Sequence, residues 1–465
     1  MVLHKHILLL PHNKQISNTM AKKKLVITEV ENLFQNSSRK SMSTKCDMGF
    51  RFLEGKNLKL CNEWVESVDG VFKITYYDDF IIPETIPING ENYRVTEIGE
   101  FTIIKSMESL YIPESIAKID GYAFNYIPNS PTTRIQVSEN NKYYDSRDNC
   151  NAIIETKTDK LICASNNSVI PDSVKVIGVN SFEGCMMENI IIPNAVIEIE
   201  SEAFRLCKYL KNITIPALVE KIRINPFAFC PSLSSIKVSK DNMHFDSRND
   251  CNAIIETRSN ILLASCINTI IPNTVEEIGE GAFEGNKKES IIIPSNVRRI
   301  GENAFRGSWI KTVMMEESVS QIKSCAFIDC GMLEKVMLSK NLERIESQAF
   351  ELCVCLRLID FPISLQYIGF RAFASCKSLK SVFIKNKKAQ VHKKAFDDDV
   401  IINGKPRDYW LPIEGDFLDL QKATTLNFNY AALWNSQNIL WIMWKTVTML
   451  YATLSIPCRL PNCSN

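Results

Sequence analysis

One feature of this chain limits what it can fold into more than any other. The dipeptide Ala-Phe, or a near variant, returns at almost fixed intervals, with its phenylalanine at positions 124, 182, 204, 227, 283, 305, 327, 350, 373 and 396. Most steps are 22 or 23 residues, and the two exceptions, 58 and 56, are a little over two repeat lengths. A unit of that size cannot bury an apolar face by itself, so it must stack on copies of itself.

Each unit has the same internal order, as in LRLIDFPISLQYIGFRAFASCKSL around Phe373. In general form this is L-x-x-I-x-I-P-x-S-V-x-x-I-G-x-x-A-F-x-x-C-x-x-L. The alternating opening predicts a short β-strand with one buried face. Proline ends it, as in IIIPNAV (190–196), ITIPALV (213–219) and IIIPSNV (291–297), because a residue without an N–H cannot extend a ladder. The V-x-x-I-G-x-x-A-F stretch has apolar residues three to four apart and predicts one or two helical or 3₁₀ turns. The expected fold is therefore an α/β-type repeat. It is an elongated solenoid with a parallel sheet of short strands, helical or 3₁₀ turns opposite, and a ladder of buried phenylalanines. Strand stacking at about 4.8 Å per coil sets its rise.

Cysteine recurs three residues after the repeat Phe, at 185, 207, 230, 330, 353 and 376, while Asn286 and Ser308 fill the same place elsewhere. A metal or redox ladder and a small buried hydrophobe both fit. The substitutions favour the second, since free Cys behaves as a compact core residue. Neighbouring coils would bring the sulfurs near disulfide range, which permits oxidation without requiring it.

The two long intervals are copies of one another. Residues 135–182 and 236–283 align without a gap at an offset of 101, with cores YYDSRDNCNAIIETKTDKLICAS and HFDSRNDCNAIIETRSNILLASC. Each predicts an inserted β-hairpin, the first with arms 152–156 and 161–164. The D-S-R-x-x-C-N run lacks the D-x-[DN]-x-[DN]-G register of an EF-hand loop and reads as a structural turn.

With these motifs in place, the chain resembles the BspA-type leucine-rich repeat family over residues 71–397. The lead-in VDGVFKITYYDDFIIPETIPINGENYRVTEIGE (68–100) is similar to the family's N-terminal approach to the repeats. The resemblance implies a non-catalytic scaffold for protein–protein interaction, at the cell surface or secreted, with adhesion or surface recognition as its role. The solenoid is expected to be monomeric, with a protein partner, without cofactor or metal, and without membrane association.

The outward positions of the strands are the candidate partner-binding face: Tyr111, Ile191, Thr214, Lys237, Ile292, Met314, Met337, Leu358, Asp360 and Phe383. Met314, Met337, Leu358 and Phe383 could form an apolar patch, or could meet a capping segment. No repeated aromatic platform marks a stacked-sugar site. Charge argues against nucleic acid, since 54 Lys and Arg balance 53 Asp and Glu.

Catalytic signatures are absent: there is no HExxH, GxSxG or GxxxxGK[ST]. GEGAFEG (279–285) occupies the I-G-x-x-A-F place of a repeat and is not a dinucleotide loop. His4, His6 and His12 lie near the N-terminus, and His244 and His392 fall several coils apart, so no Cys–His pair converges.

Three domains are expected: 1–70 as a partly disordered tail or loose cap, 71–397 as the solenoid, and 398–465 as a non-repeat segment. The apolar run Ile7 to Leu10 is shorter than a signal-peptide core of about 7–15 residues. The stretch 439–456 is apolar enough to raise a membrane span, but Lys445 near its middle costs about 2.5–3.5 kcal/mol on insertion. Two alternatives stay open: enzymatic or effector activity in residues 398–465, and a membrane-attached surface protein.

Overall fold

A computed structural model describes residues 25–31, 44–61, 69–76, 79–100, 103–105, 109–126, 134–412 and 415–422. The chain forms two units, Met1–Leu418 and Asp419–Asn465. The second contributes only the 3₁₀ turn Leu420–Lys422 to the described residues.

The first unit is a β-solenoid held by three ladders. The predicted strands form the first: Ser290–Ile293, Thr312–Met315, Lys335–Met337 and Leu358–Ile359 pair in parallel and in register. Their inward residues are buried and their outward residues exposed or half-exposed, as period-two alternation requires.

The second ladder corrects the sequence reading. The V-x-x-I stretch does not form helical or 3₁₀ turns. It forms two-residue strands, from Glu277–Ile278 through Arg299–Ile300, Gln321–Ile322, Arg344–Ile345 and Tyr367–Ile368 to Gln390–Val391, all parallel. In each pair but the last the isoleucine is buried and its predecessor faces solvent; in the last, Val391 takes the buried place.

The A-F turn supplies the third. In the second half of the solenoid the N–H of the repeat Phe donates to the Ala carbonyl of the next coil: Phe283 to Ala304, Phe305 to Ala326, Phe327 to Ala349, Phe350 to Ala372 and Phe373 to Ala395, at 2.6–2.8 Å. Left-handed residues stand two before and two after the Phe, as with Cys325 (φ 58°) and Asp329 (φ 59°), or Gln348 (φ 59°) and Leu352 (φ 65°). Such alternation cannot be helical, because left-handed residues break the i→i+4 pattern. Spacing of three to four residues arises here from turns, not from a helix.

The phenylalanines stack in two runs, 182–204–227 and 283–305–327–350–373–396. Ring centroids in the second run lie 4.8–5.2 Å apart with planes within 14°. Isolated rings prefer offset or edge-on contact. Here the interstrand spacing of about 4.8 Å overrides that preference.

The insertions join the second ladder. Ala152–Glu155 pairs antiparallel with Lys160–Ala164, whose first residues run parallel to Val176–Ile177. Ala253–Glu256, Ile261–Ser265 and Glu277–Ile278 repeat this arrangement.

Both ends are more structured than the sequence suggests. Within the polar stretch read as a tail, Thr44–Leu53 and Asn57–Cys61 are strands, and the latter runs parallel to Glu91–Ile98. Phe50, Leu58 and Leu60 are fully buried, which makes this segment an ordered cap. At the other end Ile401–Ile402 pairs with Ser381–Val382, and the buried Trp410 donates its Nε1–H to the Ile402 carbonyl at 2.9 Å. The solenoid therefore runs past residue 397. The apolar stretch 439–456 and the first 24 residues lie outside the described residues. Among the described residues no helix is long and apolar enough to cross a membrane.

Candidate binding face

The outer strands pair in parallel and in register, so the outward side chains of successive coils fall into rows. Ile292, Met314 and Met337 are direct register partners, 54, 37 and 45% exposed. Asp360 continues that row and is exposed. It pairs with Lys385 at 2.7 Å, so the apolar row ends there. Leu358 belongs to the neighbouring row, beside Lys335, and is exposed, as is Phe383 beyond Ser381–Val382. Thr214 and Lys237 pair directly and both face solvent. Ile191 is 85% exposed and lies outside the regular strands.

Tyr111 is half-buried between Ile81 and Gln136. Gln136 is the outward neighbour that spacing missed, because the inserted segment follows its strand and breaks the repeat interval. The sequence-selected residues thus lie on separate short sheets interrupted by the insertions.

The D-S-R run is a structural lock. Arg147 grips Asp145 with Nε at 2.8 Å and an Nη at 2.7 Å, and its other Nη reaches Asp159 at 2.8 Å. Thr156 donates to the same Asp145 carboxylate at 2.9 Å. Burial alone would raise the Asp145 pKa, but the bonds from Arg147 and Thr156 hold it below the usual carboxylate range. In the copy, Arg248, Asp246 and Thr257 make the same bonds, with Asn260 in place of Asp159. Burial pushes the thiols of Cys150 and Cys251 up to about 11, which removes them as nucleophiles at neutral pH.

The cysteine place has a requirement that spacing did not reveal. The thiol faces the carbonyl of the repeat Phe one coil back: Cys207 to Phe182 at 3.2 Å, Cys330 to Phe305 at 3.0 Å, Cys353 to Phe327 and Cys376 to Phe350 at 3.1 Å. The serine and asparagine that replace it are buried polar side chains with other partners: Ser308 Oγ pairs with the Cys330 thiol at 3.4 Å, and Asn286 donates to Ser265 Oγ at 3.0 Å. Cys230, Cys330, Cys353 and Cys376 carry free thiols. Burial, with Cys330 and Cys376 on either side, raises the Cys353 pKa well above the usual thiol value. Among the described residues no cluster of three or more His, Cys, Asp or Glu could hold a metal.

The BspA type leucine rich repeat region, a family description spanning six copies, matches residues 68–165, 154–257 and 276–403. The chain belongs to the BspA-type leucine-rich repeat family. Solved leucine-rich repeat structures are similar to it. A leucine rich cell surface protein from Faecalibacterium prausnitzii is 20% identical, covering 80% of this chain and 98% of its own, at a TM-score of 0.45. The pneumococcal vaccine antigen PcpA is 19% identical over 76 and 90%, at 0.40. A Bacteroides ovatus leucine-rich repeat protein is 23% identical over 77 and 88%, at 0.37. Among curated proteins none matches significantly in sequence.

Proposed function

We propose that this BspA-type repeat chain is a non-catalytic scaffold whose outer strand face recognises a protein partner in adhesion or surface recognition. The observation that carries this reading is the in-register row Ile292–Met314–Met337, with Leu358 close by, left exposed on a regular β-face. Contiguous exposed apolar side chains on a rigid surface favour protein contact, and methionine adapts to irregular partners. A solenoid also suits the task physically, since each added coil extends the recognition surface without changing the core. The surface location rests on what the family implies.

Two experiments test the reading. Full-length chain is used as bait against extracts of the source cells and of their surroundings, beside the M314K/M337K double variant. Capture of a defined protein by the native chain, lost in a variant with unchanged melting temperature, supports it. Equal capture by both overturns the assignment to this face. Labelling intact cells with a membrane-impermeant reagent tests location, and a chain labelled only after lysis removes the surface role.

A further inference from the structure

The strongest unassigned feature is a cleft of about 690 Å³ where the first insertion meets the outer strand face. Its volume lies in the usual range of ligand sites, roughly 300–1,000 Å³. Part of its wall is a fixed frame. Asn141 donates to the carbonyls of Pro113 and Ile116 at 2.8 and 3.0 Å, Ser146 donates to the Ala152 carbonyl at 2.7 Å, and Asp145 and Arg147 lock one another. The second insertion builds the same frame: Asn242 bonds the Pro216 and Val219 carbonyls, Ser247 bonds Ala253, and Asp246 holds Arg248.

Of the positions that line the cleft outside this frame, Ile135, Val137, Ser138 and Asn151 recur in the second copy as Ile236, Val238, Ser239 and Asn252, and the others differ. Tyr111, Gln136, Asn140 and Asn149 in the first stand where Thr214, Lys237, Asp241 and Asp250 stand in the second. Glu139 is replaced by Lys240. One scaffold thus carries two chemistries. The first carries one aromatic ring and several neutral amides, with Asp145 and Arg147 cancelling, Glu139 exposed at its edge, and the Gln136 Oε1 accepting from Arg134 at 2.8 Å. The second is charged in both signs.

The geometry points to the first cleft as a binding site for a neutral saccharide. A sugar hydroxyl is donor and acceptor at once, and a primary amide offers both functions at each position. Asn149, held in the left-handed region at φ 52°, sits on the rim and is exposed. The Tyr111 ring supplies an apolar face for ring C–H groups and a hydroxyl at its edge. An anionic ligand would find more cations in the other copy, where Lys237 and Lys240 stand near Arg248.

The test uses the full chain on a printed array of neutral, sialylated and sulfated oligosaccharides, followed by titration calorimetry of each glycan retained. Variants are Tyr111→Ala, Asn149→Gly, which keeps the left-handed backbone, and Lys237→Gln in the second copy. Melting temperatures confirm folding, and Asn149→Gly carries the test if Tyr111→Ala is unstable. The expected result is retention of a neutral glycan, weakened at least tenfold by Tyr111→Ala and by Asn149→Gly and unchanged by Lys237→Gln. M337K, on the protein-binding row, is expected to leave it unchanged, so the two readings fail separately. Retention of acidic glycans alone, of no neutral glycan, or of a neutral glycan with equal affinity for Asn149→Gly overturns the proposal.

Discussion

At the scale of single residues, hydrogen-bond satisfaction decides identities that hydrophobicity leaves open. Cys353 is fully buried and its thiol faces the Phe327 carbonyl at 3.1 Å. Cys353→Ser keeps a donor and is expected to cost less than about 1 kcal/mol. Cys353→Val keeps volume but removes the second hydrogen bond to the Phe327 carbonyl, which still accepts the Cys330 N–H at 3.3 Å, and is expected to cost about 0.5–1.5 kcal/mol. Urea denaturation of the two variants checks the order, and a valine variant as stable as serine would return the place to simple packing. Glu284 is a second case. It is 6% exposed, with Arg306 3.5 Å away, and burial pushes its pKa up to about 7. A carboxyl whose folded pKa exceeds its unfolded value of 4.5 favours the fold when protonated. That contribution is complete below pH 4.5 and is lost as pH rises through 7. Glu284→Gln is therefore expected to match the native chain near pH 4.5 and to exceed it at pH 8 by about 1–3 kcal/mol. Thermal unfolding across that range reads the difference, and parallel curves would remove the titration.

At the scale of elements, the strand of L-x-x-I-x-I was legible because alternation and a terminating proline are both local signals. The V-x-x-I-G-x-x-A-F stretch was not. Its apolar spacing suits a helix, but helical spacing does not exclude a tight strand followed by a left-handed turn. Residues such as Leu206 (φ 58°) and Leu352 (φ 65°) carry no sequence mark of that conformation. They accept it because backbone bonds to the next coil fix the turn: Leu206 and Leu352 donate their own N–H to the Ala228 and Ala374 carbonyls at 3.0 Å, and the Phe two residues before each is bonded to that coil as well. The inserted loop was read correctly as a turn, but the reason lay in pairing across the loop. Arg147→Lys replaces a two-point grip on Asp145 with a single contact and is expected to cost about 1–2 kcal/mol. The loss belongs to local opening of 145–159, so hydrogen exchange there should accelerate while the coils around Phe327 stay protected. The Asp145 carboxylate, held low, contributes stability above its unfolded pKa and loses it as pH falls through the folded value. The lysine variant should weaken that acid dependence without abolishing it, because Thr156 and the residue-147 N–H still bond the carboxylate. Uniform exchange throughout the solenoid would show the lock to be part of the global core instead.

At the scale of the whole molecule, stability in a stack is a chain of neighbour contacts, so the weakest junction matters more than the sum. Phenylalanine spacing revealed the coils but not their junctions. The break at 227–283 is where the second insertion separates the two aromatic runs, and the join is made by other means. Phe229 N–H donates to the Glu284 carbonyl at 3.1 Å, and Asn225 Nδ2 donates to the Gly281 carbonyl at 2.7 Å. Gly285 lies against Phe229 at φ 66°, where an added Cβ would come within 2.7 Å of the Phe229 Cα. No flexible atom there can yield, so Gly285→Ala strains the junction and leaves the stacks on either side intact. Phe327→Ala instead removes a ring from inside a run and should cost about 3–5 kcal/mol. The two variants differ in kind: Phe327→Ala lowers the midpoint of the run that contains it, whereas Gly285→Ala divides the coupling between the runs. Urea unfolding followed by hydrogen exchange is expected to show two separated steps for Gly285→Ala, with the coils before 227 and after 283 opening independently. A single step with an unchanged slope would mean that the insertion itself, and not the Phe229–Gly285 contact, transmits cooperativity across the junction.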